Sequence, residues 1–268
     1  MKETAKGSRL YSMPMDFPVR PRQAAHWAAL ILVCALCLLG LFWLTLPSAE
    51  SLRHSNPTTT ALMEARLREA RTQGHAGRHN QHWVPLSGIS IWLIRAVVNS
   101  EDARFFEHDG IDEKQTRIAL TTALEDGHFG RGASTITQQV AKNLWLGEER
   151  TLWRKLREFF LARRLERLGK KRVLELYLNV AEWGDGIYGA DAAARVWFGK
   201  AAADLLPEEA AILTAMLPAP RKRSPSRPTP ALVKRSFEIL RLYSMYGELT
   251  PEEMGDARWR LEYLLGRD

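Results

Sequence analysis

From residue 24 to residue 46 the chain runs AAHWAALILVCALCLLGLFWLTL, without one Asp, Glu, Lys or Arg. That length suits a single helix across a bilayer core of about 30 Å. His26, Trp27 and Trp43 near its ends suit the interfaces. Beyond it, apolar positions recur every three or four residues and rarely alternate, which predicts helix after helix. The spacing predicts helices over 59–71, 90–106, 134–146, 151–168 and 170–183, with Ser90 a fitting N-cap and Gly147, Gly169 and Gly184 near the ends. A short Ala-rich helix follows over 190–198. Another runs over 207–217, opened by Pro207. "LPAPRKRSPSRPTP" reads as a proline-broken basic crossing, and two helices finish the chain. Residues 109–131 are less regular, and "EDGHFGRG" predicts a mobile loop.

One position breaks the pattern. Ile91, Ile94, Val98 and Phe105 share one face of the 90–106 helix, and the residue that should complete their stripe is Glu101. A carboxylate among apolar neighbours loses hydration, which raises its pKa and poises it for proton transfer. The alternative is an ordinary helix-end Glu paired with Arg104 one turn on. Asp102 beside it makes the site denser. His108 reads as a structural hydrogen-bonding residue.

The fold class is therefore all-α, in four parts: a 1–23 tail, a 24–46 transmembrane helix, a 47–58 linker and a 59–268 domain. A cleaved signal peptide is the rival for 24–46, but its apolar core is usually shorter, about 7–15 residues. The tail's Lys2, Lys6, Arg9, Arg20 and Arg22 against Glu3 and Asp16 predict a cytoplasmic N-terminus and an exported body. The only cysteines, Cys34 and Cys37, lie in the apolar segment, so the body has no disulfide. The body carries 33 basic and 29 acidic residues, a net +4. That excess suits an anionic membrane surface, a phosphorylated substrate or simple solubility; nucleic acid is not an expected partner of an exported domain.

Two further clusters carry candidate chemistry. In "GASTITQQVAKNLWL", Ile136, Val140 and Leu144 bury one face, while Ser134, Gln138 and Lys142 recur every four residues on another, with Gln139 close by. Hydroxyls, amides and an ammonium suit sugars and phosphate; a solvated face is the alternative. In "ERTLWRKLREFFLARRLE", Arg150, Arg154 and Lys155 crowd a helix start. Cations there oppose the macrodipole at about 0.3–1 kcal/mol each, a conflict that a bound anion would relieve. Glu158, one turn on, is either their ion-pair partner or a second carboxylate at a phosphate site. "GDGIYG" matches G-x-G-x-x-G but follows a helical pattern, not a strand, so a tight loop is expected there.

These pieces, in this order, resemble the peptidoglycan glycosyltransferases of glycosyltransferase family 51. The resemblance runs through "NSEDARFFEHDGID", "GASTITQQVAKNLWL", "RKLREFFLARRLE", "VLELYLNVAEWGDGIYGADAAARVWFGK" and "LPEEAAILTAMLPAPRKRSP". The S-x-x-K and K-T-G motifs of the transpeptidase half found in some relatives are absent, so the resemblance is to the monofunctional biosynthetic form. It implies a lysozyme-like helical fold with head and jaw lobes. It implies polymerisation of lipid II onto a growing glycan chain, with inversion and release of undecaprenyl diphosphate. Glu101 and Glu158 match the family's two glutamates. Ser134, Thr137, Gln138, Gln139, Lys142, Asn143, Arg150, Arg154 and Lys155 fall at substrate-binding positions, and Asp102 is the candidate ligand for a divalent Mg or Mn ion. The resemblance also implies a single-pass protein of the bacterial inner membrane, its domain on the periplasmic side beside other cell-wall synthesis proteins. A glycan-cleaving lysozyme-like enzyme and a non-enzymatic membrane scaffold are the alternatives.

Overall fold

The structure is a computed structural model, which describes residues 21–126, 134–147, 149 and 151–266. It divides into two units, one ending at Leu46 and one running from Pro47 onward. The first is a single helix, α1 (Pro21–Thr45), the one described helix long and apolar enough to cross a membrane. At 1.5 Å per residue its 25 residues reach about 37 Å, enough for a bilayer core.

The second unit is helical, as its periodicity predicts. It contains α2 (Ala61–Thr72), α3 (Ile91–Glu101), α4 (Glu113–Asp126), α5 (Ile136–Ala141), α6 (Leu152–Glu166), α7 (Lys170–Val180), α8 (Ala190–Phe198), α9 (Pro207–Met216), α10 (Pro230–Met245) and α11 (Pro251–Leu264). Every residue of α9 is buried, its two glutamates and Thr214 included, so the helix lies wholly inside the core. Helices α3, α10 and α11 pack on it. Its buried Glu208 accepts from Arg260, and Glu209 accepts from the Leu206 N–H and pairs with Lys200. Both carboxylates lie in the first turn, where the helix dipole favours negative charge. A second group, α5 packed on α6 and α7, carries the candidate site.

The structure departs from the expected elements in five places. Helix α3 ends at Glu101, not at 106: Asp102 leaves helical geometry at φ −161°, ψ 72°, and a short 3₁₀ turn, Phe105–Glu107, follows. Its buried side chains are Leu93, Ala96, Val97 and Val98, while Ile91 is 49% exposed. The stripe leading to Glu101 thus runs from surface to cleft, and Phe105 is buried from a separate turn. Helix α4 occupies part of the stretch expected to be irregular; its described side chains are largely exposed, so it shows no apolar stripe to read. The glycine-rich loop expected after it lies outside the described residues.

The stretch 47–58 is a strap, not a bare linker. Leu52 is buried, and α7's Arg172 donates to the carbonyls of Leu52 and Ser55 at 2.8 and 2.9 Å. Such bonds between distant segments leave no local period. "GDGIYG" is a β-hairpin: β2 (Glu182–Gly184) turns into β3 (Ile187–Tyr188), which pairs in parallel with β1 (Asn80–Gln81). Gly186 sits at φ +70°, and a Cβ there would meet Arg78 at 2.5 Å, so the turn requires glycine. Finally, the 134–146 helix begins at Ile136 and widens at Lys142–Leu146 into a π-helical turn.

Candidate active site

The two polar clusters face each other. Thr135 caps α5 in a reciprocal box with Gln138, fixing the helix start. Thr151 caps α6 by accepting from the Arg154 N–H at 3.1 Å. Packing α5 on α6 then encloses a cavity of about 420 Å³ lined by Ser134, Gln138, Gln139, Lys142, Arg154, Lys155 and Glu158. Lys155 donates across it to Ser134 Oγ at 3.0 Å. Glu158, 2% exposed, accepts from both Arg154 and Lys155. Three cations against one carboxylate give the cavity a positive balance suited to an anion. Lys142 stands where the α-helix opens into the π turn, a distortion frequent at functional sites.

Glu101 lies next door, in a recess of about 170 Å³ that shares Ser134 with the cation cavity. It does not pair with Arg104, whose guanidinium goes to Glu107 and Asp112. Instead Gln139 donates to Glu101 Oε2 at 3.1 Å, and Tyr177 donates to Gln139 Oε1 at 3.1 Å. The Tyr177 hydroxyl thereby sets which end of the Gln139 amide faces Glu101. Burial pushes the Glu101 pKa up; the Gln139 bond and the charges of Arg235 and Lys142 partly oppose that rise, and Asp102 adds to it. Burial, with Glu101's charge, also raises the Tyr177 phenol well above its usual value, so it remains a donor.

Asp102 is a strut. It accepts from His108 Nε2 at 2.9 and 3.1 Å and from the Ile136 N–H at 3.0 Å, tying the end of α3 to the start of α5. Both oxygens are occupied by donors, one of them a backbone amide, so Asp102 does not fit the place of an open metal ligand. Among the described residues no group of three or more His, Cys, Asp or Glu is arranged to hold a metal. Asp102→Ala is expected to lower stability by about 2 kcal/mol, because it orphans the first N–H of α5 and a buried imidazole. Asp102→Asn, which keeps an acceptor, should lose less than half of that in urea titrations.

The other expected site residues fall elsewhere. Thr137 is fully buried and donates to Glu166, so it supports α5 against α6 and does not line the cavity. Asn143 is buried and also outside the cavity wall. Arg150 lies outside the described residues. Sequence reading missed Tyr177, which its helical period marks as plain core, and Arg235, which α10 brings to Ser100 with a 2.8 Å bond beside Glu101. Pairing across that many residues leaves no local signal.

Comparison with known proteins identifies the family. The family model described as Transglycosylase matches residues 68–244. A biosynthetic peptidoglycan transglycosylase of Nitrosomonas eutropha is 42% identical over 212 residues, 79% of this chain and 86% of that protein. One from Rhodospirillum centenum is 46% identical over 222 residues, covering 82% and 90% respectively. Another from Methylobacillus flagellatus is 38% identical over 224 residues, covering 83% and 97%. With a helical fold, a glutamate in a cleft and a cation cavity beside it, the chain belongs to the transglycosylase family.

Proposed function

We propose that this transglycosylase polymerises lipid II, with Glu101 as general base and the neighbouring cations as the diphosphate site. The observation that carries the reading is the shared wall: Ser134 lines both the Glu101 recess and the cavity holding Lys142, Arg154 and Lys155. Glu101 takes the proton from the 4-hydroxyl of the acceptor sugar as that oxygen attacks the anomeric carbon of the growing chain. The bond from that carbon to the diphosphate oxygen breaks on the opposite face, so the configuration inverts. The leaving undecaprenyl diphosphate departs with its negative charge, which the three cations are placed to stabilise. Glu158 holds Arg154 and Lys155 in position.

The raised pKa of Glu101 fits this role, since a base with more proton affinity than an ordinary carboxylate removes a hydroxyl proton more readily. Helix α1 would anchor the protein in the inner membrane, and the basic tail before it would stay cytoplasmic, placing the domain outside with its lipid-linked substrates. The test offers purified protein two substrates, lipid II and mature cell wall. Polymer from the first and no fragments from the second support the reading. Soluble fragments from the second with no polymer from the first would reverse it in favour of a cleaving enzyme.

A further inference from the structure

Tyr177, on α7, is 1% exposed and lines neither the cation cavity nor the Glu101 recess. No step of the reaction above uses it. Among the described residues its hydroxyl makes one hydrogen bond, the donation to Gln139 Oε1 at 3.1 Å. Gln139 donates in turn to Glu101 Oε2 at 3.1 Å, and Glu101 Oε1 accepts no hydrogen bond among the described residues. Rotating the Gln139 amide by half a turn about its last bond exchanges its oxygen and nitrogen with almost no change of shape, so hydrogen bonding chooses between the two. As it stands, an N–H faces Glu101, which favours the ionised carboxylate. In the turned amide an oxygen would face Glu101, which favours a protonated carboxyl able to donate to it. The turned amide would also present its N–H to Tyr177 and leave the phenol proton buried without an acceptor, an unfavourable state. The Tyr177 hydroxyl therefore weights the amide toward the orientation that suits a base.

We propose that Tyr177 is a positioning residue for Glu101: through Gln139 it holds Oε2 in a hydrogen bond and keeps Oε1 open to receive the proton of the acceptor hydroxyl. The inference rests on the reading of Glu101 as general base and adds to it a residue that touches no substrate. The charged groups around Glu101 act on it directly. Arg235 from α10 and Lys142 from the π turn favour its charge, and Asp102 at the end of α3 opposes it. Arg104 and Asp112, in the recess wall, pair with each other at 3.1 Å. Tyr177 works through a neutral partner, so its effect must vanish when that partner cannot hydrogen-bond.

The experiment is a double-mutant cycle on the full chain, with Tyr177→Phe, Gln139→Met and both together. Each protein is followed by the pH profile of kcat/KM on lipid II and by NMR titration of the labelled Glu101 carboxyl, assigned by its loss in Glu101→Gln. Tyr177→Phe should move the acid limb and the carboxyl titration upward by about one pH unit. Gln139→Met should move both at least as far, and adding Tyr177→Phe to it should move neither further. A merely structural Tyr177 would lower kcat/KM equally at every pH and leave the titration in place. That result, or shifts that add in the double variant, overturns the proposal. Phe keeps the ring, so α7 should persist, which circular dichroism checks. If Tyr177→Phe does not fold, Gln139→Met decides: an upward titration supports the link from Tyr177 to Glu101, and an unmoved one overturns it. If Glu101→Gln polymerises lipid II at the parent rate, the general-base reading falls instead. The carboxyl titration needs no turnover and then still decides whether Tyr177 sets the protonation of Glu101.

Discussion

Glu101→Gln is expected to stop glycan synthesis, lowering kcat by about 10²–10⁴-fold, in a protein that stays folded. The amide has the shape of the carboxylate and still offers an oxygen to Gln139, which now donates at 3.1 Å. What it lacks is affinity for a proton. The variant should not be less stable, because the folded protein disfavours the charged form of this residue: burial is the largest cause of its raised pKa. A neutral side chain escapes that desolvation. The measurements are polymer formed from purified lipid II and the thermal midpoint. Polymerisation at the parent rate would remove Glu101 from the mechanism.

The same shift sets two pH dependences of opposite sense. As a base, Glu101 works only when ionised, so the acid limb of the rate profile should lie above the ordinary glutamate value of 4.5. For stability the sign reverses. A carboxylate whose folded pKa exceeds its unfolded pKa holds a proton more tightly in the folded state. Its contribution is complete below the unfolded value and is lost as pH rises through the folded one. The protein therefore gives up stability at this residue over the same pH range in which catalysis switches on, and Glu101→Gln should flatten both responses. Arg235 and Lys142 limit the conflict by drawing the pKa back down.

Local pattern made most helices legible, because each buries a stripe at helical spacing or, like α9, is mostly apolar beyond its first turn. It hid α4, whose described face is solvent, and it extended α3 by a turn because Phe105 happens to continue the spacing of Ile94 and Val98. Glu101 was visible as an interruption, but its physical setting differs from the one its neighbours suggest: it closes a helix at a cleft and does not sit inside a continuous apolar face. The cations and amides of α5 and α6 were each legible as unusual surfaces, yet nothing in their spacing said that they face one another. That follows from packing, as do the reach of Tyr177 to Gln139, the approach of Arg235 to Ser100 and the use of Asp102 as a strut. Each is a bond between distant segments, set by the fold and silent in any short window.

Glu158→Gln should cost both stability and turnover, for one reason. In the folded protein Glu158 is almost fully buried and takes hydrogen bonds from two cations, Arg154 at 17% side-chain exposure and Lys155 at 46%. Removing one member of a fully buried pair typically costs about 3–5 kcal/mol. Because Lys155 is half in water, its share is screened and the expected loss is about 2 kcal/mol, or a midpoint lower by about 4–8 °C in a body of this size. Released from the carboxylate, Arg154 and Lys155 repel each other and Lys142, so the cations leave the positions that meet the departing diphosphate, and kcat/KM should fall about 100-fold. The cavity meanwhile becomes more positive. Inorganic diphosphate should therefore inhibit the variant at lower concentration than it inhibits the parent protein, even as turnover drops. That combination separates a glutamate that organises cations from one that donates a proton, whose loss would lower turnover and leave diphosphate binding unchanged. Parent-like stability and turnover together would show that the two ion pairs do neither job.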